Sequence, residues 1–157
     1  MLKPSVTFVL WIAIALFIVV NDVVGDTWIA ATLTVRTVEW YKVLVPLPYV
    51  AMLAIIHARR TAGPRWFEAA LLAALLWPVS TMLVDFLYMR LTYDAEPAAF
   101  VDRFGGPYPL LIGALFVLPL LAGAMMKQFS HPERSEGSHA HGERRLGPSL
   151  RSGRQEL

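Results

Sequence analysis

The sequence contains no cysteine and few charged residues. Of its 157 residues, 17% are charged and 56% are hydrophobic. Soluble domains average about 25% charged and roughly 45–50% apolar residues, so this composition is typical of a membrane protein. The absence of cysteine excludes structural disulfides, thiolate metal sites and thiol–disulfide relay chemistry. The length corresponds to one domain.

Four long apolar runs contain most of the hydrophobic residues. Each is close to the roughly 20 residues that a helix needs to cross the hydrocarbon core of a bilayer. The first run, from Ser5, is longer than the apolar core of a signal peptide and ends in Asn21-Asp22, so we interpret it as a retained span. We predict an all-α, polytopic integral membrane protein in which residues 1–127 form one four-transmembrane-helix bundle, with spans at about 5–24, 39–57, 67–90 and 108–126.

Prolines interrupt three of the four predicted spans. Pro46 and Pro48 lie in the second, Pro78 in the third and Pro119 in the fourth. Because proline removes a backbone donor and clashes with the preceding turn, we expect these helices to be kinked. The conformation of residues 27–38 stays open between a surface connector and the first turns of the second helix.

Two kinds of residue predict close packing between helices. Trp11 and Trp77 lie deep inside predicted spans, where they are expected to pack against other helices. Small residues at the interface let helix backbones approach each other in a membrane. In the third and fourth spans these are Ala69, Ala70, Ala73, Ala74, Gly113 and Gly123.

The chain changes character after Lys127. Residues 128–157 are polar, rich in glycine and serine and without an apolar period, so we predict that they form a disordered tail. The strings HPERSEG and PSLRSG, within residues 131–153, resemble the translation product of an interspersed bacterial repeat element. The resemblance implies a bacterial source and a dispensable tail, and it disfavours a metal-binding role for the tail histidines.

The basic residues predict the orientation of the chain. Lys3, the loop from Arg59 to Arg65, and Lys127 fall on one side of the four spans. Since lysine and arginine favour the cytoplasmic side, we predict cytoplasmic N- and C-termini in a bacterial cytoplasmic (inner) membrane. Membrane topology also accounts for the excess of basic residues, so we predict no nucleic-acid partner.

Charged residues are predicted to meet at the opposite, outer end of the bundle. Asp22 and Asp26 are four residues apart, which places both on one face of a helix. Asp85 lies about 28 Å of helix beyond Trp66, so it also reaches this end. Ionisable groups inside a membrane are functional candidates, because burying one at a helix centre costs about 2.5–3.5 kcal/mol. The candidate polar site comprises Asp22, Asp26, Glu39, Asp85, Arg36 and Arg90.

A structural interpretation of the same residues stays open. In it, Asp85 pairs with Arg90 or Arg36 and closes the end of the bundle, while Asp22 ends a helix. The carboxylates lack the spacing of an EF-hand, so we predict no metal. We interpret His57 as a solvated residue at the basic edge and not as a haem ligand, so we predict no cofactor.

Two classes of function agree with this sequence. It favours a small membrane protein without evident catalytic chemistry, acting as an accessory or stabilising subunit or as a homo-oligomer. The alternative is a transporter or membrane enzyme that uses an outer-leaflet carboxylate site containing Asp22 and Asp85. The expected partners are membrane lipids, other membrane-protein subunits or further copies of the chain. The sequence identifies neither a ligand nor an oligomeric state.

Overall fold

The computed structural model describes residues 3–129, and most of these are helical. Most of the predicted disordered tail, from residue 130 onward, lies outside the described residues. Gln128 and Phe129, which we assigned to the tail, belong instead to the last helix. The helical elements are α1 (Pro4–Val24), a π-helical turn (Gly25–Ile29), α2 (Val35–Leu44), α3 (Pro46–Thr61), α4 (Trp66–Tyr93), α5 (Pro97–Asp102), a 3-10 turn (Arg103–Gly105) and α6 (Tyr108–Phe129).

The predicted all-α fold with four long apolar helices is confirmed. Four helical segments are long and apolar enough to cross a membrane, and within residues 3–129 there are no strands. The second segment extends beyond the predicted 39–57 at both ends, and the third begins and ends outside the predicted 67–90. The four segments are Pro4–Ile29, Val35–Thr61, Trp66–Tyr93 and Tyr108–Gln128.

The region that the sequence left open, residues 27–38, divides between two helices. The first helix continues as a π-helical turn through Ile29, and α2 begins at Val35. Thr34 caps α2, because its hydroxyl oxygen accepts a hydrogen bond from the backbone N–H of Thr37 at 3.4 Å. Only a short connector therefore separates the first two spans.

The helices accommodate the prolines in different ways. α2 ends at Leu44 and α3 begins at Pro46, but Val45 between them keeps helical backbone angles (φ −65°, ψ −41°), so the second span continues through its first proline. Pro78 and Pro119 lie inside α4 and α6, which continue past them. Beyond Pro78, the Ser80 hydroxyl donates to the Leu76 carbonyl, one turn earlier in α4, at 2.6 Å.

The helices pack around an apolar core in the middle of the bundle. Trp77 is fully buried, as predicted, while Trp11 is half-buried at the edge of the core. α4 packs most extensively against α6, and the alanines on its buried face make this close approach possible. The central residues of the core are Ile14, Ile18, Val50, Leu53, Ala54, Ala73, Leu111 and Leu115.

Charged residues collect at the two ends of the bundle. One end, here called the carboxylate end, contains Asp22, Asp26, Lys42, Asp85 and Arg103. The other, here called the basic end, is where α1 starts, α3 ends, α4 starts and α6 ends. It contains Lys3, Arg59, Arg60, Arg65 and Lys127.

The two glycines of α6 differ in the space around them, so the same substitution should have different effects at the two positions. A Cβ on Gly123 would lie 2.9 Å from the Trp66 ring and 3.2 Å from the Ala70 Cβ, whereas a Cβ on Gly113 would have no neighbour within 4 Å. We expect Gly123→Leu to lower the unfolding free energy by about 1–3 kcal/mol, because overpacking forces α4 and α6 apart.

Gly113→Leu is the matched control, since it makes the same chemical change on the same helix. Thermal unfolding in a mild detergent measures both variants. Equal melting temperatures for the two would contradict the packing of α6 on α4.

Candidate functional site

The buried faces of two helices carry carboxylates to one end of the bundle. On α1, Ile14, Ile18 and Asp22 follow at four-residue intervals and are all buried. On α4, Trp77 and Asp85 lie on one face in the same way. The periodicity that packs apolar side chains into the core therefore also turns these two aspartates inward, away from lipid.

Arg103 lies between the two buried aspartates. Its Nη2 is 3.8 Å from Asp22 Oδ2, and its Nη1 is 3.8 Å from Asp85 Oδ2. The Asp22 and Asp85 side chains are 5% and 2% exposed, whereas that of Arg103 is 24% exposed. One partly hydrated guanidinium thus faces two carboxylates that have almost no access to water, and it balances the charge of one of them.

The turn between α5 and α6 determines the position of this arginine. Arg103 begins the 3-10 turn, and Gly105-Gly106-Pro107 then leads the chain into α6. Tyr108, the first residue of α6, is buried, and the Arg103 guanidinium carbon lies 4.5 Å from the centroid of its ring. This cation–π contact holds the guanidinium over the end of the bundle.

A second ion pair forms the outer rim of the site. Lys42 Nζ lies 2.6 Å from Asp26 Oδ1, and the Tyr93 hydroxyl donates to Asp26 Oδ2 at 3.0 Å. The Asn21 side-chain amide donates to the Lys42 carbonyl at 3.2 Å, which ties α1 to α2. A Cβ on Gly25 would lie 2.9 Å from Lys42 Cε, so the lysine crosses the π-helical turn at a position that favours glycine.

These groups line a pocket of about 390 Å³ at the carboxylate end. Its charged lining consists of three carboxylates and two cations, with Asp85 beyond Arg103. One wall is aromatic and another is aliphatic. The lining includes Asp22, Asp26, Glu39, Lys42, Arg103, Tyr88, Tyr93, Tyr108, Leu33, Val35, Val38 and Met89.

Several buried polar atoms near the pocket have no hydrogen-bond partner among residues 3–129. They are Asn21 Oδ1, Asp85 Oδ2 and the Tyr108 hydroxyl. At 3.8 Å the contact from Asp85 to Arg103 is an ion pair and is too long for a hydrogen bond. Asp85 and the Tyr108 hydroxyl lie close enough to interact with each other. Because buried polar groups are usually hydrogen-bonded, Asn21 Oδ1 is the atom of this group with unused capacity to bind a polar partner.

The structure brings together four of the six residues of the candidate site. Asp22, Asp26 and Glu39 line the pocket, and Asp85 lies beside it through Arg103. The other two residues lie elsewhere. Arg90 contacts Asp94 and the Ala95 carbonyl, and Arg36 lines a separate groove beside Glu39.

Sequence reasoning missed the cation that Asp85 contacts. We had considered Arg90 or Arg36 as its partner, on account of their depth along the helices, but the structure places Arg103 there. The Gly-Gly-Pro sequence after Arg103 does indicate a turn, and the structure shows that this turn brings the chain back over the end of the bundle. Lys42, which the predicted candidate site did not include, belongs to the site as well.

The interpretation of His57 as a solvated residue was wrong. The side chain is fully buried, with Nε2 2.9 Å from the Thr7 hydroxyl, and its ring contacts Trp77 edge-on. The Trp77 indole N–H in turn donates to the Thr7 carbonyl at 3.1 Å. The helix rotation that places the neighbouring Ala54 and Ala58 in the interior also turns His57 inward, so proximity to Arg59 and Arg60 was a misleading guide.

The arrangement at the carboxylate end is suited to binding a charged ligand. It combines fixed charges, aromatic rings and an aliphatic wall in one concave surface. Within residues 3–129, no group of three or more histidine, aspartate or glutamate side chains is placed to hold a metal ion. No protein-family model matches the chain, and no curated protein or solved structure is significantly similar to it.

Because two buried carboxylates share Arg103, removing this arginine should destabilise the protein more than removing an arginine from an exposed ion pair. Arg103→Gln leaves two carboxylates buried without a cation, and removing one partner of a buried pair costs about 3–5 kcal/mol. Since Arg103 is partly hydrated, we expect the unfolding free energy to fall by about 2 kcal/mol.

Arg90→Gln is the control, because it removes the same charge from an exposed pair at the same end. Exposed pairs contribute about 0–1 kcal/mol, so this variant is expected to be close to wild type. Denaturation in mixed micelles compares the two. A loss no larger for Arg103→Gln than for Arg90→Gln would exclude Arg103 as the main counterion.

Proposed function

We propose that this chain is a small bacterial membrane protein that binds an amphipathic organic cation in the pocket at its carboxylate end. The observation that supports the proposal best is the composition of the pocket. Asp22, Asp26 and Glu39 outnumber the cations Lys42 and Arg103, and aromatic rings line the same space.

The charge balance favours a cation over an anion. Asp26 is already neutralised by Lys42, and Asp22 shares Arg103 with Asp85. Glu39 is exposed at the pocket, which leaves an excess of negative charge there. An ammonium group entering the pocket meets Asp22 at its buried end and gains long-range attraction from Glu39.

The size and walls of the pocket indicate the rest of the ligand. A volume of about 390 Å³ falls within the range of roughly 300–1,000 Å³ of small-molecule sites. Tyr88 and Tyr93 offer ring faces or edges, while Arg103 already occupies a face of Tyr108. A cation over a tyrosine ring gains about 0.5–2 kcal/mol. Leu33 and Val35 provide apolar surface for a short hydrocarbon or aryl group.

The proposed location is the periplasmic side of a bacterial cytoplasmic membrane. The excess of lysine and arginine at the basic end supports cytoplasmic termini, and an even number of spans then places the carboxylate end outside. Binding from the periplasm is consistent with transport or with sensing. In the present conformation the apolar core around Ile14, Val50 and Leu115 separates the pocket from the other end.

An accessory subunit or homo-oligomer is the second candidate. It is favoured by the ion pairs themselves, because Lys42 with Asp26 and Arg103 with the two buried aspartates suffice to fix the ends of the helices. Under this alternative the polar cluster stabilises the bundle, and the partner binds on the outer apolar faces of the helices.

Binding of phenyltrimethylammonium by the purified protein distinguishes the two candidates. The ligand-binding proposal predicts that this cation binds and that benzenesulfonate, an anion of similar size, does not. Asp22→Asn should weaken binding of the cation roughly tenfold or more, since the buried carboxylate is its closest charge partner.

Glu68→Gln serves as the control, because it removes a carboxylate at the basic end, where Glu68 faces Arg65. Isothermal titration measures binding, and the melting temperature without ligand verifies that each variant is folded. If neither ion binds, or if Asp22→Asn and Glu68→Gln bind the cation equally well, the accessory-subunit candidate replaces this proposal.

A further inference from the structure

A second pocket, of about 520 Å³, lies at the basic end of the bundle, and the proposed cation site does not involve it. It is formed where the end of α3, the start of α4 and the end of α6 meet. The residues that line it range in exposure from the fully buried His57 to the exposed Lys127. Gly123 and Ala70, which allow α6 to approach α4, also line it.

His57, which lines this pocket, carries an unused hydrogen-bonding group. Its Nε2 is 2.9 Å from the Thr7 hydroxyl, while Nδ1 is buried and has no hydrogen-bond partner among the described residues. In the tautomer in which Nε2–H donates, both the Thr7 hydroxyl hydrogen and Nδ1 would be left without a partner among the described residues. We therefore assign the tautomer in which the Thr7 hydroxyl donates to Nε2, since it leaves fewer buried groups unpaired. Nδ1 then carries the hydrogen, so the unused group is a donor that requires an acceptor.

The charges around the pocket favour a negatively charged acceptor. Lys127 lies at the pocket with its ammonium 5.8 Å from the centroid of the Trp66 ring. Lys3 donates to the Arg60 carbonyl at this same end. Among residues 3–129, Glu68 is the acidic residue of this end, and its carboxylate faces Arg65 at 3.7 Å. The local charge is therefore strongly positive.

We propose that this pocket binds a phosphate ester, with Lys127 as its cationic partner and His57 Nδ1–H as a buried donor. An anionic phospholipid headgroup and a soluble phosphate ester share this chemistry. Trp66, at the start of a membrane-length helix, places the pocket at the level of the lipid headgroups. Apolar lining residues, including Ala58 and Pro64, suit the part of a lipid nearest its headgroup.

The test uses the full chain in neutral detergent, with phosphatidylglycerol and glycerol 3-phosphate as probes. Native mass spectrometry measures lipid binding, and isothermal titration measures binding of the soluble ester. We expect Lys127→Gln to weaken, by roughly fivefold, the binding of whichever probe binds more tightly. This is the loss expected when one basic residue near an anionic headgroup is removed.

Arg59→Gln is the matched control, because it removes one positive charge at the same end from a residue that does not line the pocket. It should change the affinity less than twofold. His57→Gln retains a group able to bond Thr7 at the position of Nε2 but removes the Nδ1 donor. It should also weaken binding, and its melting temperature shows whether the fold survives.

The outcomes distinguish a lipid from a soluble phosphate ester as the ligand. They also show whether binding here is independent of the proposed cation site. Tighter binding of phosphatidylglycerol than of glycerol 3-phosphate identifies a lipid, and equal or tighter binding of the soluble ester identifies a soluble ligand. Either result supports the proposed site if Lys127→Gln lowers the affinity for the probe and Asp22→Asn leaves it unchanged. Equal losses for Lys127→Gln and Arg59→Gln, or no binding of either probe, would overturn it.

Discussion

Two carboxylates that lie among apolar helices must share a cation, and this constraint organises the carboxylate end of the bundle. Asp22 and Asp85 have almost no access to water, and each lies 3.8 Å from the same guanidinium, that of Arg103. A buried charge without a partner is far more costly than an exposed one. The turn that supplies Arg103 is therefore bound to α1 and α4 by electrostatics, although none of α5 is buried.

The same constraint gives the site its chemical character. Arg103 reaches both carboxylates from a partly hydrated position, stacked on Tyr108, and so the pocket in front of it contains charge, aromatic rings and access to water together. Asn21 Oδ1 keeps hydrogen-bonding capacity unused within the described residues. This combination of ion pairs and an unpaired polar atom in one concave surface is the basis of the ligand-binding proposal.

The sequence predicted the four spans because apolar run length is a strong, local signal. It also predicted that Asp22 and Asp85 lie toward one end of the bundle. The fixed rise per residue of a helix gives the position of each residue along the helix axis. The sequence did not predict which cation meets these aspartates, because depth along a helix says nothing of how a loop folds back, and Arg103 lies in such a loop. His57 was misassigned for a related reason: burial depends on helix rotation, and the adjacent arginines are on another face.

A double-mutant cycle on Asp85 and Arg103 tests this account most directly. The unfolding free energy is measured for wild type, Asp85→Asn, Arg103→Gln and the double variant. If Arg103 neutralises Asp85, adding Asp85→Asn to Arg103→Gln restores stability, with a coupling energy of about 1–3 kcal/mol. Effects that add to within about 0.5 kcal/mol would show that the two side chains are independent and would contradict the account.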